Sequence, residues 1–174
     1  MELMHYGIKG MHWGVRKDDS NVLFVSGSSK TQTKGSPYYR KRLPKEIKRK
    51  LNDSMWEGHK IIVGDAPGID RQVQKYLKRK GYSNVEIYGP GKKVRYSASK
   101  FWKTNPIDVP DAEPMSERWL AGKDFAMTNA ATRGLAVILD NGATATRNNV
   151  QRLIDQNKEV DVYMLTEDKQ DRWV

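Results

Sequence analysis

Apolar positions in this chain alternate between short continuous runs and helical stripes. Val22-Leu23-Phe24-Val25 is a compact apolar run that leads into the small-residue loop Ser26-Gly27-Ser28-Ser29, and residues 21–25 read as a first strand. Over residues 43–56, Ile47, Leu51, Met55 and Trp56 recur at helical spacing, with Lys and Arg on the other side facing water. Ile61-Ile62-Val63 is a second strand ended by Gly64. Ile69, Val73, Tyr76 and Leu77 then mark a helix that runs to Lys80-Gly81. Asp65 stands where it could cap that helix, and Pro67 where the first helical residue tolerates a missing N–H. Residues 84–88 form a third strand, closed by Gly89-Pro90-Gly91, and residues 91–113 read as a long loop. A third helix is expected over 114–131 and a fourth strand over 134–139. A fourth helix follows over 144–156, with Val150, Leu153 and Ile154 on its apolar side, and a fifth strand over 160–165. Alternation of this kind predicts an α/β fold, a parallel sheet of about five strands with helices on both faces.

The length, 174 residues, suits one such domain. Residues 1–19 stand apart as an irregular arm with three glycines and no sustained period, and residues 20–174 form the domain. The absence of cysteine excludes disulfides, zinc–thiolate sites and thiol catalysis. His5, His12 and His59 are scattered without metal-ligand spacing, so no metal and no cofactor are expected. No apolar run approaches the length of a membrane span and no signal-peptide core follows the start, which points to a cytoplasmic protein without a membrane partner. The net charge of +10 suits a nucleic acid or a phosphorylated small molecule. The dense run from Arg40 to Lys50 reads first as a solvated helix face and second as a nucleic-acid stripe.

In a parallel sheet, ligands bind beyond the carboxyl ends of the strands. The segments that land there are Ser26-Gly27-Ser28-Ser29, residues 64–68, Tyr88-Gly89-Pro90 and residues 140–146, all small, polar or glycine-containing. Two of them open into helices, whose N-termini favour negative charge. Neither a Walker loop nor a G-x-G-x-x-G sequence is present, which weighs against ATPase and dinucleotide-dehydrogenase chemistry. Asp124 falls on the stripe of Leu120, Met127 and Ala131. It is either a buried acceptor paired with Lys123 or Arg118, or a ligand-facing carboxylate. Tyr96, Phe101 and Trp102 lie among Lys92, Lys93, Arg95, Lys100 and Lys103, an interleaving that suits stacking on a base as well as it suits a lid packed on the sheet edge.

Two resemblances attach to these residues. Residues 6–16, Tyr6-Gly7-Ile8-Lys9-Gly10-Met11-His12-Trp13-Gly14-Val15-Arg16, resemble a short N-terminal peptide of tailed-phage and prophage proteins. Val25 to Ser29, Gly64 to Asp70, Lys123 to Met127 and Asp140 to Asn149 together resemble the SLOG superfamily. These are Rossmann-like domains related to DNA-processing protein A, to cytokinin-activating enzymes and to nucleoside deoxyribosyltransferases. That resemblance implies binding of a nucleotide or nucleotide-derived molecule and a homo-oligomer. Enzymatic relatives carry G-T-x-x-E at the start of the last helix, and here Ala145 and Asn149 stand at the Gly and Glu positions. An amide holds hydrogen bonds but cannot serve as a base or nucleophile, so the substitution turns the expectation from cutting toward holding.

The expected ligand-binding residues are Ser26, Gly27, Ser28, Gly64, Asp65, Gly68, Asp124, Thr144, Thr146 and Asn149. Backbone N–H groups at Gly27, Ser28 and Gly68 would hold phosphate, and Asp65 or Asp124 would hold ribose hydroxyls. The expected function is capture of a nucleotide-derived ligand, in a phage protein for sequestering a host immune signal. An N-glycoside hydrolase or phosphoribohydrolase using Asp124, and a nucleic-acid-binding module, are the alternatives.

Overall fold

In the computed structural model, which describes residues 18–142 and 144–174, the alternating runs pair into one seven-stranded sheet. The strands are β1 (Asp18–Gly27), β2 (His59–Gly64), β3 (Val85–Pro90), β4 (Lys103–Ile107), β5 (Arg133–Leu139), β6 (Glu159–Leu165) and β7 (Arg172–Trp173). The helices are α1 (Lys45–Trp56), α2 (Ile69–Arg79), α3 (Glu117–Ala130) and α4 (Thr144–Asp155). The spatial order is β4-β3-β2-β1-β5-β6-β7; every pair is parallel except β6 with β7. This is a Rossmann-like α/β fold. The arm residues 1–17 lie outside the described residues. Among the described residues, no helix is long and apolar enough to cross a membrane.

Period-two alternation sorts the core. Leu23 and Val25 of β1, with Ile61 and Val63 of β2, pack with Ile47, Leu51 and Met55 of α1 and Ile69, Val73 and Leu77 of α2. Val22, Phe24 and Ile62 point the other way and pack with Met127 of α3 and Leu153 of α4. Thus α1 and α2 cover one face, and α3 and α4 the other. Burying these apolar side chains at about 1.5–3 kcal/mol each is what holds the layers together.

Three expectations change. The segment 91–113 is not all loop, because Lys103–Ile107 adds to β3 as β4, with Glu86 opposite Lys103. Its exposed, Pro-containing sequence hid it, as suits an edge strand with one free side. Trp102, expected as a stacking candidate, is buried, and its Nε1–H donates to the Tyr82 carbonyl at 3.0 Å. Phe101 is 85% exposed, and Tyr96 lies under the Arg71 guanidinium at 4.8 Å. The two outermost apolar residues of the predicted helices, Trp56 and Ile154, are exposed. On α4 Leu153 faces inward as expected, and the rest of the inward stripe is Thr146 and Asn149.

The chain runs from β1 outward to β4, then α3 carries it back across the sheet to β5 on the other side of β1. β1 and β5 are parallel neighbours, and the connections that follow them leave toward opposite edges of the sheet, the arrangement that leaves a crevice between their C-terminal ends.

Candidate functional site

A crevice of about 440 Å³ opens there, lined by the end of β1 and the turn before α2, by α3, and by the start of α4. Seven of the expected residues meet in it: Ser26, Gly27, Ser28, Asp124, Thr144, Thr146 and Asn149. The other three, Gly64, Asp65 and Gly68, do not line it.

Each of the three shapes the crevice from behind. Asp65 is fully buried and does not cap α2. Its carboxylate accepts from the Arg95 backbone N–H at 2.6 Å, from Arg95 Nη2 at 2.6 Å and from Arg95 Nε at 3.1 Å. A bidentate pair of this kind fixes the guanidinium in direction as well as position, and Arg95 lines the crevice. Room for the pair depends on Gly89, where a Cβ would overlap Asp65 Oδ2. Gly68, at φ +87°, is the N-cap of α2 in place of Asp65, and Pro67 lies in the turn before the helix instead of opening it. A Cβ on Gly68 would overlap the Ser28 carbonyl oxygen. Its N–H donates to Gln32 Oε1 at 3.0 Å, so the donor expected to hold phosphate is already engaged. The next N–H, of Ile69, donates to the Ser28 carbonyl at 3.1 Å and ties the α2 start to the β1 loop. Gly64 leaves space for two charges, because a Cβ there would overlap Asp70 Oδ2 and stand 3.1 Å from Lys123 Nζ.

Asp70 and Lys123 were not among the expected residues. Asp70, the second residue of α2, is buried at the crevice and accepts from the Ala66 N–H at 3.2 Å. Burial pushes its carboxyl up to about 7; Lys123 opposes this and Asp124 adds to it. Lys123 is also buried, and its Nζ lies 2.8 Å from Asp124 Oδ1. Burial alone would lower the lysine, but Asp124 and Asp70 more than offset it, so its ammonium is held above the usual range. Asp124 therefore pairs with Lys123, as one of its two readings expects, and it also lines the crevice. A sequence signal for Lys123 exists. Leu120, Lys123, Met127 and Ala131 make a helical stripe as regular as the one drawn through Asp124. Asp70 had no such signal, because an acid in the first turn of a helix is ordinary at the surface.

On the opposite wall, Asn149 Nδ2 donates to Ser26 Oγ at 3.0 Å, and Asn149 Oδ1 accepts from Arg152 Nη1 at 2.7 Å. The amide thus uses one donor and its acceptor to lock α4 onto β1, with Arg152 seated 4.0 Å over the Phe125 ring. Ser28 Oγ accepts from Lys30 N–H at 3.1 Å and caps the short turn Ser29–Gln32. The first turn of α4, with Thr144 and the buried Thr146, faces the crevice, where a helix leaves N–H groups without intrahelical partners. Phe24, Leu120, Met115 and Met127 supply an apolar floor and rim. The cavity therefore combines a helix N-terminus, three cations (Lys30, Arg95 and Lys123), two carboxyls and an apolar patch.

Comparison with known proteins reaches the other end of the chain. A family of unknown function, DUF7211, matches residues 1–20, which hold none of the crevice residues. No curated protein matches the chain.

Proposed function

We propose that the crevice binds a nucleotide or nucleotide-derived small molecule. The observation that carries this reading is the convergence, in one cavity at the β1/β5 switch point, of the α4 N-terminus with Thr144 and Thr146, the held guanidinium of Arg95, and the Lys123–Asp124 pair. Phosphate oxygens suit the helix start, the threonine hydroxyls and Arg95. Sugar hydroxyls suit Asp124. The apolar patch of Leu120, Met115 and Met127 suits the face of a base. The volume lies within the range of small-molecule sites. Use of this binding to sequester a host nucleotide signal is the role we propose for it; that step rests on the arm's resemblance to phage peptides.

The test is a thermal-shift panel of nucleoside mono-, di- and triphosphates, dinucleotides and cyclic dinucleotides. A ligand present at 100 times its Kd stabilises the fold by about 2.7 kcal/mol, which a melting curve resolves easily. Arg95→Ala and Thr146→Val each weaken the shift for the binding nucleotide. A panel in which no member raises the melting temperature overturns the reading.

Asp70 favours a second reading, hydrolysis of an N-glycosidic bond. The protonated Asp70 carboxyl would give its proton to the departing base nitrogen as the C1′–N bond breaks, and water would add to C1′ while losing a proton to Asp124. This assigns the chemistry to carboxyls other than the family's glutamate position. Incubation with the nucleotides that stabilise the fold then releases free base, seen by chromatography. Asp70→Asn stops release while keeping the thermal shift. Stabilisation without any release sinks this second reading and leaves the first standing.

A further inference from the structure

On the opposite face of the sheet, a second cavity of about 400 Å³ lies between the segment leading into α1, α1 itself and α2. It shares no lining residue with the crevice. Five cations surround it: Lys41 and Arg42 from the segment before α1, Lys48 from α1, and Lys75 and Arg79 from α2. No carboxylate lines it, and among the described residues none of the five forms an ion pair. Some cations elsewhere do find carboxylates, as in Arg40–Asp171, Lys60–Glu86 and Arg95–Asp65. Lys75 and Arg79, one helical turn apart, repel each other, and gathering three more cations around the same hollow adds to that cost. A polyanion in the hollow adds an attraction to each cation that offsets these repulsions. Leu43 is the sole apolar lining residue and no aromatic ring lines the cavity, so it has no aromatic platform for a base.

We infer that the cleft between α1 and α2 is a second binding site, one that takes a run of phosphates by charge and without base recognition. The Lys/Arg run that reads in the sequence as a solvated face contributes Lys41, Arg42 and Lys48 to it, and the fold supplies the facing wall from α2. A phosphate run comes either as the backbone of a single-stranded nucleic acid or as free polyphosphate.

Fluorescence anisotropy of a labelled oligothymidylate of roughly 20 nucleotides tests this on the full chain. Neutralising about four phosphates of a single strand gives a log–log salt slope of about −3, so affinity falls about fifty-fold between about 50 and 200 mM salt. The variant K41Q/R42Q/K75Q/R79Q, all exposed positions, loses at least about tenfold in affinity at low salt by the same counterion argument. The equal-charge control K34Q/K93Q/K100Q/R118Q loses less than about threefold. Circular dichroism checks that both fold. Displacement of the oligonucleotide by inorganic tripolyphosphate at equal phosphate concentration assigns the cleft to short free polyphosphates; displacement by nucleic acid alone assigns it to a longer backbone. No binding at low salt, or equal loss in both variants, overturns the proposal. The nucleotide thermal shift of the crevice is unchanged in K41Q/R42Q/K75Q/R79Q, so failure here and failure of the crevice reading are told apart.

Discussion

Two aspartates five residues apart have opposite fates. Asp65 is fully buried and ionically satisfied by three bonds from Arg95. Asp65→Asn leaves the Arg95 charge without its partner and the remaining amide ill-matched to a fork of N–H donors, so it costs about 3 kcal/mol in urea unfolding. Asp70 is buried with a single backbone donor, and its carboxyl is pushed up to about 7 from an ordinary 3.8. Between those pH values the folded chain binds more protons than the unfolded chain. The stability this group contributes is therefore fully present below the ordinary value and is lost as pH rises through 7. Asp70→Asn removes that titration, so the fall in urea midpoint between about pH 5 and 8 becomes shallower in the variant. A slope unchanged by the substitution counts against a shifted Asp70. In the sequence the two aspartates look alike, because both follow apolar runs near a helix start. Only the return of α3 across the sheet brings Lys123 and Asp124 over Asp70, and only the loop after β3 brings Arg95 to Asp65.

At the scale of elements, the strongly periodic ones were legible and the edge was not. The stripes of α1 and α2, and the apolar runs of β1, β2 and β5, carry their own period, and their predicted ends fall within a few residues of the observed ones. β4 escaped because a strand that pairs on one side only needs no apolar alternation, and Asn105-Pro106 reads as a turn. Its anchor is the residue before it. Trp102 fills a pocket under Tyr82, whereas Phe101 points into solvent. Trp102→Ala costs about 3–5 kcal/mol, and Phe101→Ala stays within about 0.5 kcal/mol, measured by denaturant unfolding. Equal effects at the two positions contradict this division. The α4 stripe was legible only at Leu153, for a related reason. Its inward face begins with Thr146 and Asn149, polar residues that a hydrophobic count passes over, and they are inward because the crevice begins there.

At the scale of the whole molecule, the sheet sets a gradient of stability. β1 and β2 pair on both sides at its centre, β5 joins them, and β7 contributes two exposed residues at the far edge. Amides of Leu23, Val25, Ile62 and Val137 exchange at the rate of global unfolding, while those of Arg172 and Trp173 exchange through local opening, orders of magnitude faster. Hydrogen exchange with mass spectrometry reads this directly, and uniform protection across the sheet contradicts it. By itself, the sequence determined the class of fold, because hydrophobic period and turn chemistry are local properties. It also determined which loops gather at the strand ends, because parallel strands joined by crossovers put alternate loops on one side. It placed Ser26 and Thr146 at such ends, and the structure brings them to one crevice together with Asn149. The tertiary structure alone decided which of the aspartates faces the crevice, that Lys123 turns inward beside Asp124, and that five cations without carboxylate partners, from separate segments, close around one hollow. Burial, electrostatic pairing and the approach of distant segments are non-local quantities. They take their values only when the chain has crossed from β4 back to β5 and α1 and α2 lie side by side.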